Sequence, residues 1–68
     1  MSLKLEEWRR LKNYSIKEMA EKCDVHFQTY MRWKRHPDKV PIKYAYKIAE
    51  ILGVPLDSII FELEEQHE

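Results

Sequence analysis

Residues 15–34, SIKEMAEKCDVHFQTYMRWK, decide the fold because they have the pattern of two short helices joined by a tight turn. Ser15 is followed three residues later by Glu18, which is a capping-box spacing and marks the start of the first helix. The spacing of apolar residues predicts an inward face for that helix, made of Ile16, Met19, Ala20 and Cys23. The sequence therefore predicts helices over residues 16–23 and 27–35, with Asp24-Val25-His26 as the turn.

The second of these helices carries polar side chains outward. Tyr30 and Trp33 are three residues apart and are predicted to face the core. The outward side is predicted to carry Gln28, Thr29, Arg32 and Arg35. Amides, hydroxyls and guanidinium groups can hydrogen-bond the edges of bases in the major groove of DNA. On a scaffold this small, such a helix favours sequence-specific DNA binding.

The rest of the chain is predicted to add three helices. The first covers residues 3–11, with Ser2 as its cap and an inward stripe of Leu5, Trp8 and Leu11. Another covers residues 41–52, ends at Gly53, and turns Tyr44 or Ala45, Ile48, Ala49 and Leu52 inward. A short helix over residues 56–61 follows Pro55. No segment alternates convincingly as a strand, so the expected fold is all-α, a compact bundle of five short helices.

Length and composition limit the alternatives. A chain of 68 residues forms one domain with a thin core, here residues 1–61, followed by an acidic tail over residues 62–68. The single cysteine cannot form an internal disulfide, and the histidines and Cys23 lack the spacing of metal ligands. Neither a membrane-span-length apolar run nor a secretory signal pattern is present. We expect a cytoplasmic protein without a metal or cofactor, and Cys23 as a small buried residue.

The charges are strongly segregated although the net charge is zero. All twelve Lys and Arg residues and six acids lie within residues 1–47, which gives that part a net charge of about +6. The remaining six acids lie within residues 48–68, which therefore carry about −6. This asymmetry suggests one face that binds an anion and an acidic end directed away from it, although an ordinary solvated surface with an acidic tail would give the same count.

The chain contains, in this order, the segments SIKEMAEKCDV, TYMRW and KIAEILGVPLDSIIF. With these segments it resembles the Cro/CI-type (XRE family) helix-turn-helix domain of phage and bacterial repressors. The resemblance covers residues 5–61 and implies a lambda-repressor-like fold whose third helix is the recognition helix. The base-contact candidates that it implies are Phe27, Gln28, Met31 and Arg32. The implied candidates for contact with the DNA backbone are His26, Thr29, Arg35, Lys39 and Lys43.

Three positions depart from the family pattern. Asp24 stands where the turn commonly has Gly, and His26 stands where the recognition helix is commonly capped by Ser or Thr. Ile16 replaces a Gln that commonly contacts phosphate and braces the third helix. Asp can adopt the left-handed conformation more easily than most residues, so we expect the turn to form.

Each candidate has a second interpretation. Gln28 and Arg32 can be ordinary surface groups, and Phe27 can fold back as core or serve in dimer packing. The basic residues after the third helix can simply be a solvated surface. For the whole chain, the leading hypothesis is a small phage- or prophage-like transcriptional regulator, a repressor that binds double-stranded DNA. The alternative is an antitoxin-like or anti-repressor-like adapter that mainly binds another protein. No catalytic pattern favours an enzyme.

The end of the chain suggests how two copies could associate. Apolar residues there exceed what one inward stripe can cover. They are Leu56, Ile59, Ile60, Phe61 and Leu63. We expect the surplus, Ile60 and Leu63, to form an apolar patch for a two-fold partner, which gives a weak homodimer on an inverted-repeat operator.

Overall fold

The computed structural model describes residues 1–62, which contain four α-helices and a short parallel β-bridge between residues 3–4 and 59–60. None of the helices in this part of the chain is long and apolar enough to cross a membrane. In chain order the elements are β1 (Leu3–Lys4), α1 (Leu5–Leu11), α2 (Ile16–Cys23), α3 (Phe27–Arg35), α4 (Ile42–Leu52) and β2 (Ile59–Ile60), with 3-10 turns at Pro37–Lys39 and Leu56–Ser58. The predicted bounds of α2 and α3 are confirmed.

Local hydrogen bonds explain why α2 begins at Ile16. The hydroxyl of Ser15 accepts from the backbone N–H of Glu18 at 3.0 Å, and the Glu18 carboxylate accepts from the Ser15 N–H at 2.8 Å. This reciprocal arrangement satisfies two N–H groups that have no partner within the helix. Tyr14, just before the cap, packs half-buried against the core.

Two helices end in left-handed residues that turn the chain sharply. Asp24 after α2 has φ of 61°, and Gly53 after α4 has φ of 72°. The left-handed conformation predicted for both positions is therefore confirmed. A third left-handed residue, Asn13 with φ of 68°, connects α1 to α2 and was not predicted.

The helices enclose one core built around Met19, Cys23, Tyr30 and Ile48, whose side chains are completely buried. Leu5 and Trp8 of α1 complete it from one side, as the sequence predicts. The inward stripe predicted for α4 is also confirmed. Its buried residues are Ala45, Ile48, Ala49 and Leu52.

The prediction of a fifth helix over residues 56–61 is wrong. The chain forms a single 3-10 turn there and then extends as β2, whose residues Ile59 and Ile60 align in parallel with Leu3 and Lys4. This pairing satisfies backbone groups across the sheet instead of along a helix. The same pairing shortens α1 at its start, so that the helix begins at Leu5. Its cap is Lys4, whose N–H donates to Glu7 at 2.8 Å, and not Ser2.

The prediction that Leu11 faces inward is also wrong, because its side chain is 60% exposed. It lies six positions after Leu5, and six steps of about 100° leave it well away from the face that Leu5 and Trp8 share. α4 differs only slightly from its predicted range, since Pro41 is the cap and Ile42 the first helical residue.

Replacement of Gly53 by Ala should lower the free energy of unfolding by about 1–2 kcal/mol, which is the penalty for a Cβ in the left-handed region. The cost is conformational, because a Cβ at this position would meet no atom within 4 Å. Asp24→Gly is the matched control, since it relieves the same strain and should leave stability unchanged or raised. Urea unfolding of both variants measures the effect. Equal stabilities of Gly53→Ala and the parent chain would contradict it.

Candidate nucleic-acid interface

The outward face of α3 brings four of the predicted contact residues together. Gln28, Met31, Arg32 and Arg35 follow the spacing i, i+3, i+4 and i+7, which places them on one side of a helix. The two arginines and Gln28 are exposed, and Met31 is half-buried. Two charged groups and an amide therefore surround one apolar side chain, opposite to the buried Tyr30 and Trp33.

The first turn of α3 is held by His26. Its Nδ1 accepts a hydrogen bond from the backbone N–H of Gln28 at 3.1 Å, so this histidine does cap the helix. Phe27, the first helical residue, remains 45% exposed and is not part of the core. Thr29 is half-buried at the edge of the outward face, which is less exposed than predicted.

Basic residues continue from the end of α3 into α4. Arg35, Lys39 and Lys43 are all exposed, as expected for side chains that would contact an anion. The ammonium of Lys43 lies 5.1 Å from the ring centre of Tyr44, and that ring lies 5.1 Å from Trp33 of α3. These ring contacts fix the start of α4 beside the recognition candidate α3.

A polar network fixes α3 from the opposite side. The hydroxyl of Tyr30 donates to Oε2 of Glu6 in α1 at 3.1 Å. Oε1 of Glu6 pairs with the Arg9 guanidinium at 2.8 Å, and Arg9 donates to the carbonyl of Tyr14 at 2.6 Å. The network joins α1, the connection to α2, and α3. The sequence carries no signal for it, because Glu6 and Tyr30 are 24 residues apart.

Cys23 lies at the base of an open groove between the end of α2 and the outer side of α4. The groove is lined by Cys23, Asp24, Lys43, Tyr44 and Lys47. Burial raises the pKa of the Cys23 thiol, and the charge of Lys47 opposes this only in part. The thiol is therefore protonated and enclosed, which fits the prediction of a small buried residue rather than a reactive group.

The residues predicted to mediate dimerisation are only partly described. Ile60 lies in β2 and is half-buried, while Leu63 lies outside the described residues. Larger apolar exposure occurs elsewhere, at Ile42 and Tyr46 of α4. The sequence did contain a signal for this exposure, because eight of the eleven residues of α4 are apolar or aromatic and one buried stripe cannot cover them.

Comparison with known protein families identifies the part of the chain that contains these helices. A family model described as helix-turn-helix matches residues 5–59, from the first residue of α1 to the first residue of β2. No curated protein and no solved structure gives a significant match.

Tyr30→Phe should lower the free energy of unfolding by about 1.5–3 kcal/mol, since it removes a hydrogen bond to a charged group and leaves the Glu6 carboxylate with one partner fewer. Tyr46→Phe is the control, because the Tyr46 side chain is 62% exposed and loses only a hydrated hydroxyl. Urea unfolding of both variants provides the comparison. Similar losses of unfolding free energy in the two variants would show that the hydrogen bond to Glu6 does not stabilise the fold.

The same variant has a pH signature. Burial, and then the charge of Glu6, raise the pKa of Tyr30 above its ordinary value of 10.0, so the folded chain keeps the proton that the unfolded chain loses. The resulting stability is fully present below pH 10 and is lost as pH rises, at roughly 1.4 kcal/mol per pH unit for one proton. The stability difference between the parent chain and Tyr30→Phe should therefore shrink above about pH 10. A stability difference that stays constant above about pH 10 would contradict the raised pKa of Tyr30.

Proposed function

The chain belongs to the Cro/CI-type helix-turn-helix family of DNA-binding transcription regulators, and on that premise we propose that it is a repressor of the phage or prophage type. It reads the major groove with α3. The observation that carries this proposal is the outward face of α3, where Gln28, Arg32 and Arg35 are exposed around Met31.

The chemistry of that face matches base recognition. The amide of Gln28 can donate to and accept from adenine at once, and a guanidinium such as that of Arg32 can bind guanine in the same two-fold manner. Phe27 and Met31 offer apolar surface to the methyl group of thymine. His26 fixes the backbone at the start of the helix, so the Gln28 amide extends from an ordered turn.

The basic residues around α3 provide the contacts that do not depend on sequence. Arg35, Lys39 and Lys43 are exposed along the path from the end of α3 to the first turn of α4. Together with His26 and Thr29 they would bind phosphates on either side of the groove. Such contacts set the position of the protein on the duplex, while base contacts set the sequence.

Two copies are needed for specificity. The longest dimension of the domain is 35 Å, which is close to one helical turn of DNA, so a single copy covers one half-site. An inverted repeat bound by a homodimer doubles the number of base contacts. Occupancy of such an operator would block transcription by excluding polymerase.

Affinity for duplex DNA should fall steeply with salt. About five phosphate contacts imply a slope of roughly −4 to −5 in a plot of log affinity against log salt concentration, at about −0.9 per phosphate. A titration by fluorescence anisotropy between low and physiological salt measures it. A flat slope, or no duplex binding at low salt, would favour the alternative of a protein-binding adapter that has kept the fold.

Two substitutions separate base reading from positioning. Gln28→Ala should lose about 1–3 kcal/mol of discrimination at one base pair while binding to random duplex stays similar. Lys39→Ala should weaken binding to all duplexes about equally. Each variant is the control for the other, with an operator obtained by selection from a random duplex pool. The same response from both would mean that α3 does not read the groove.

A further inference from the structure

One side of α4 carries an apolar stripe that the core covers only in part. Ile42 is 68% exposed and Tyr46 is 62% exposed, and they lie one turn apart on the same face. Ala49 and Gly53 continue that face at the spacing i, i+4, i+7 and i+11. We call these four residues the α4 stripe.

The α4 stripe is divided into a bulky half and a small half. Ile42 and Tyr46 project from the first two turns, whereas Ala49 is only 6% exposed and does not project from the surface. At Gly53 even a Cβ would meet open space. An antiparallel copy of the same helix would therefore place each bulky pair against the small pair of the other copy.

The charged residues beside the α4 stripe are also arranged so that a two-fold axis brings opposite charges together. Lys43 lies beside its first half and Glu50 beside its second half, on the same flank of the helix, and both side chains are exposed. A two-fold axis across the middle of α4 brings Lys43 of one copy next to Glu50 of the other, twice. A parallel two-fold arrangement would instead place the two charged flanks on opposite sides of the contact, where neither of these pairs can form. The charge order thus selects a second copy of this chain, in antiparallel orientation, as the occupant.

We propose that the α4 stripe is the self-association surface of this protein, on which the α4 helices of two copies pack antiparallel across a two-fold axis. The inference rests on the proposed function in one respect only: binding to an inverted repeat is the task for which the homodimer is required. The eleven residues of α4 span about 17 Å, so the interface is smaller than that of a stable dimer. Association of the free protein is therefore weak and becomes effective when two half-sites hold the copies together.

The first test measures self-association of the free protein by sedimentation equilibrium, without DNA. Ile42→Ala with Tyr46→Ala should weaken the association constant about tenfold or more, because it removes the only bulky groups of the interface. Leu11→Ala is the matched control, since Leu11 is equally exposed but lies on α1. An unchanged constant in the double variant, or a monomeric parent chain at all concentrations, would overturn the proposal.

The second test uses charge. Glu50→Lys should weaken association a few-fold by placing two lysines together, and Lys43→Glu combined with Glu50→Lys should restore it. Failure of the combined variant to restore association would rule out the antiparallel arrangement.

A third variant, Ile60→Ala, tests the surface predicted near the end of the chain. Loss of association in that variant, with no loss in the double alanine variant, would assign the interface to β2 instead. Because no DNA is present, these results stand apart from the salt titration that tests the proposed function.

Discussion

The hydrogen bond from Tyr30 to Glu6 is the constraint on which the arrangement of the helices depends. Tyr30 is completely buried at the centre of a small core, so its hydroxyl needs a partner that the surrounding apolar side chains cannot provide. Glu6 supplies it from α1 and is itself neutralised by Arg9, which continues to the carbonyl of Tyr14. A hydrogen bond between defined atoms accepts few alternative geometries, whereas apolar contacts alone can slide. The polar network therefore fixes the rotation of α3 about its own axis, and with it the direction of Gln28 and Arg32.

A second bond between distant residues closes the molecule at the other end. The indole N–H of Trp8 donates to the carbonyl of Ser58 at 2.7 Å, next to the pairing of β1 with β2. Together these contacts tie both ends of the described chain to α1. A domain of this size has little apolar area to bury, so a few long-range hydrogen bonds contribute a large share of the order that a larger core would provide.

The sequence predicted what local interactions determine and missed what distant contacts determine. The start of α2 follows from Ser15 and Glu18, and its end follows from Asp24, all within one turn of the residues concerned. The extended conformation of residues 59–60 depends on Leu3, more than fifty positions away, and that partner cannot be read from Ile59 and Ile60 themselves. For the candidate site, helical spacing was enough to group Gln28, Arg32 and Arg35. The composition of α4 indicated that some of its apolar residues would be exposed, but which ones, here Ile42 and Tyr46, depends on what the other helices cover.

α4 connects the two tasks that the chain would perform. On one side, Tyr44 packs against Trp33 at 5.1 Å and so ties α4 rigidly to α3. On another side, the α4 stripe is available to a second copy. Because a helix is stiff over eleven residues, the geometry of pairing through α4 would be transmitted directly to the distance between the two α3 helices. That distance must match one helical turn of DNA or a multiple of it. A surface on α4 is thus better suited to set the spacing of half-sites than a surface on the chain end, which joins the domain through a two-residue bridge.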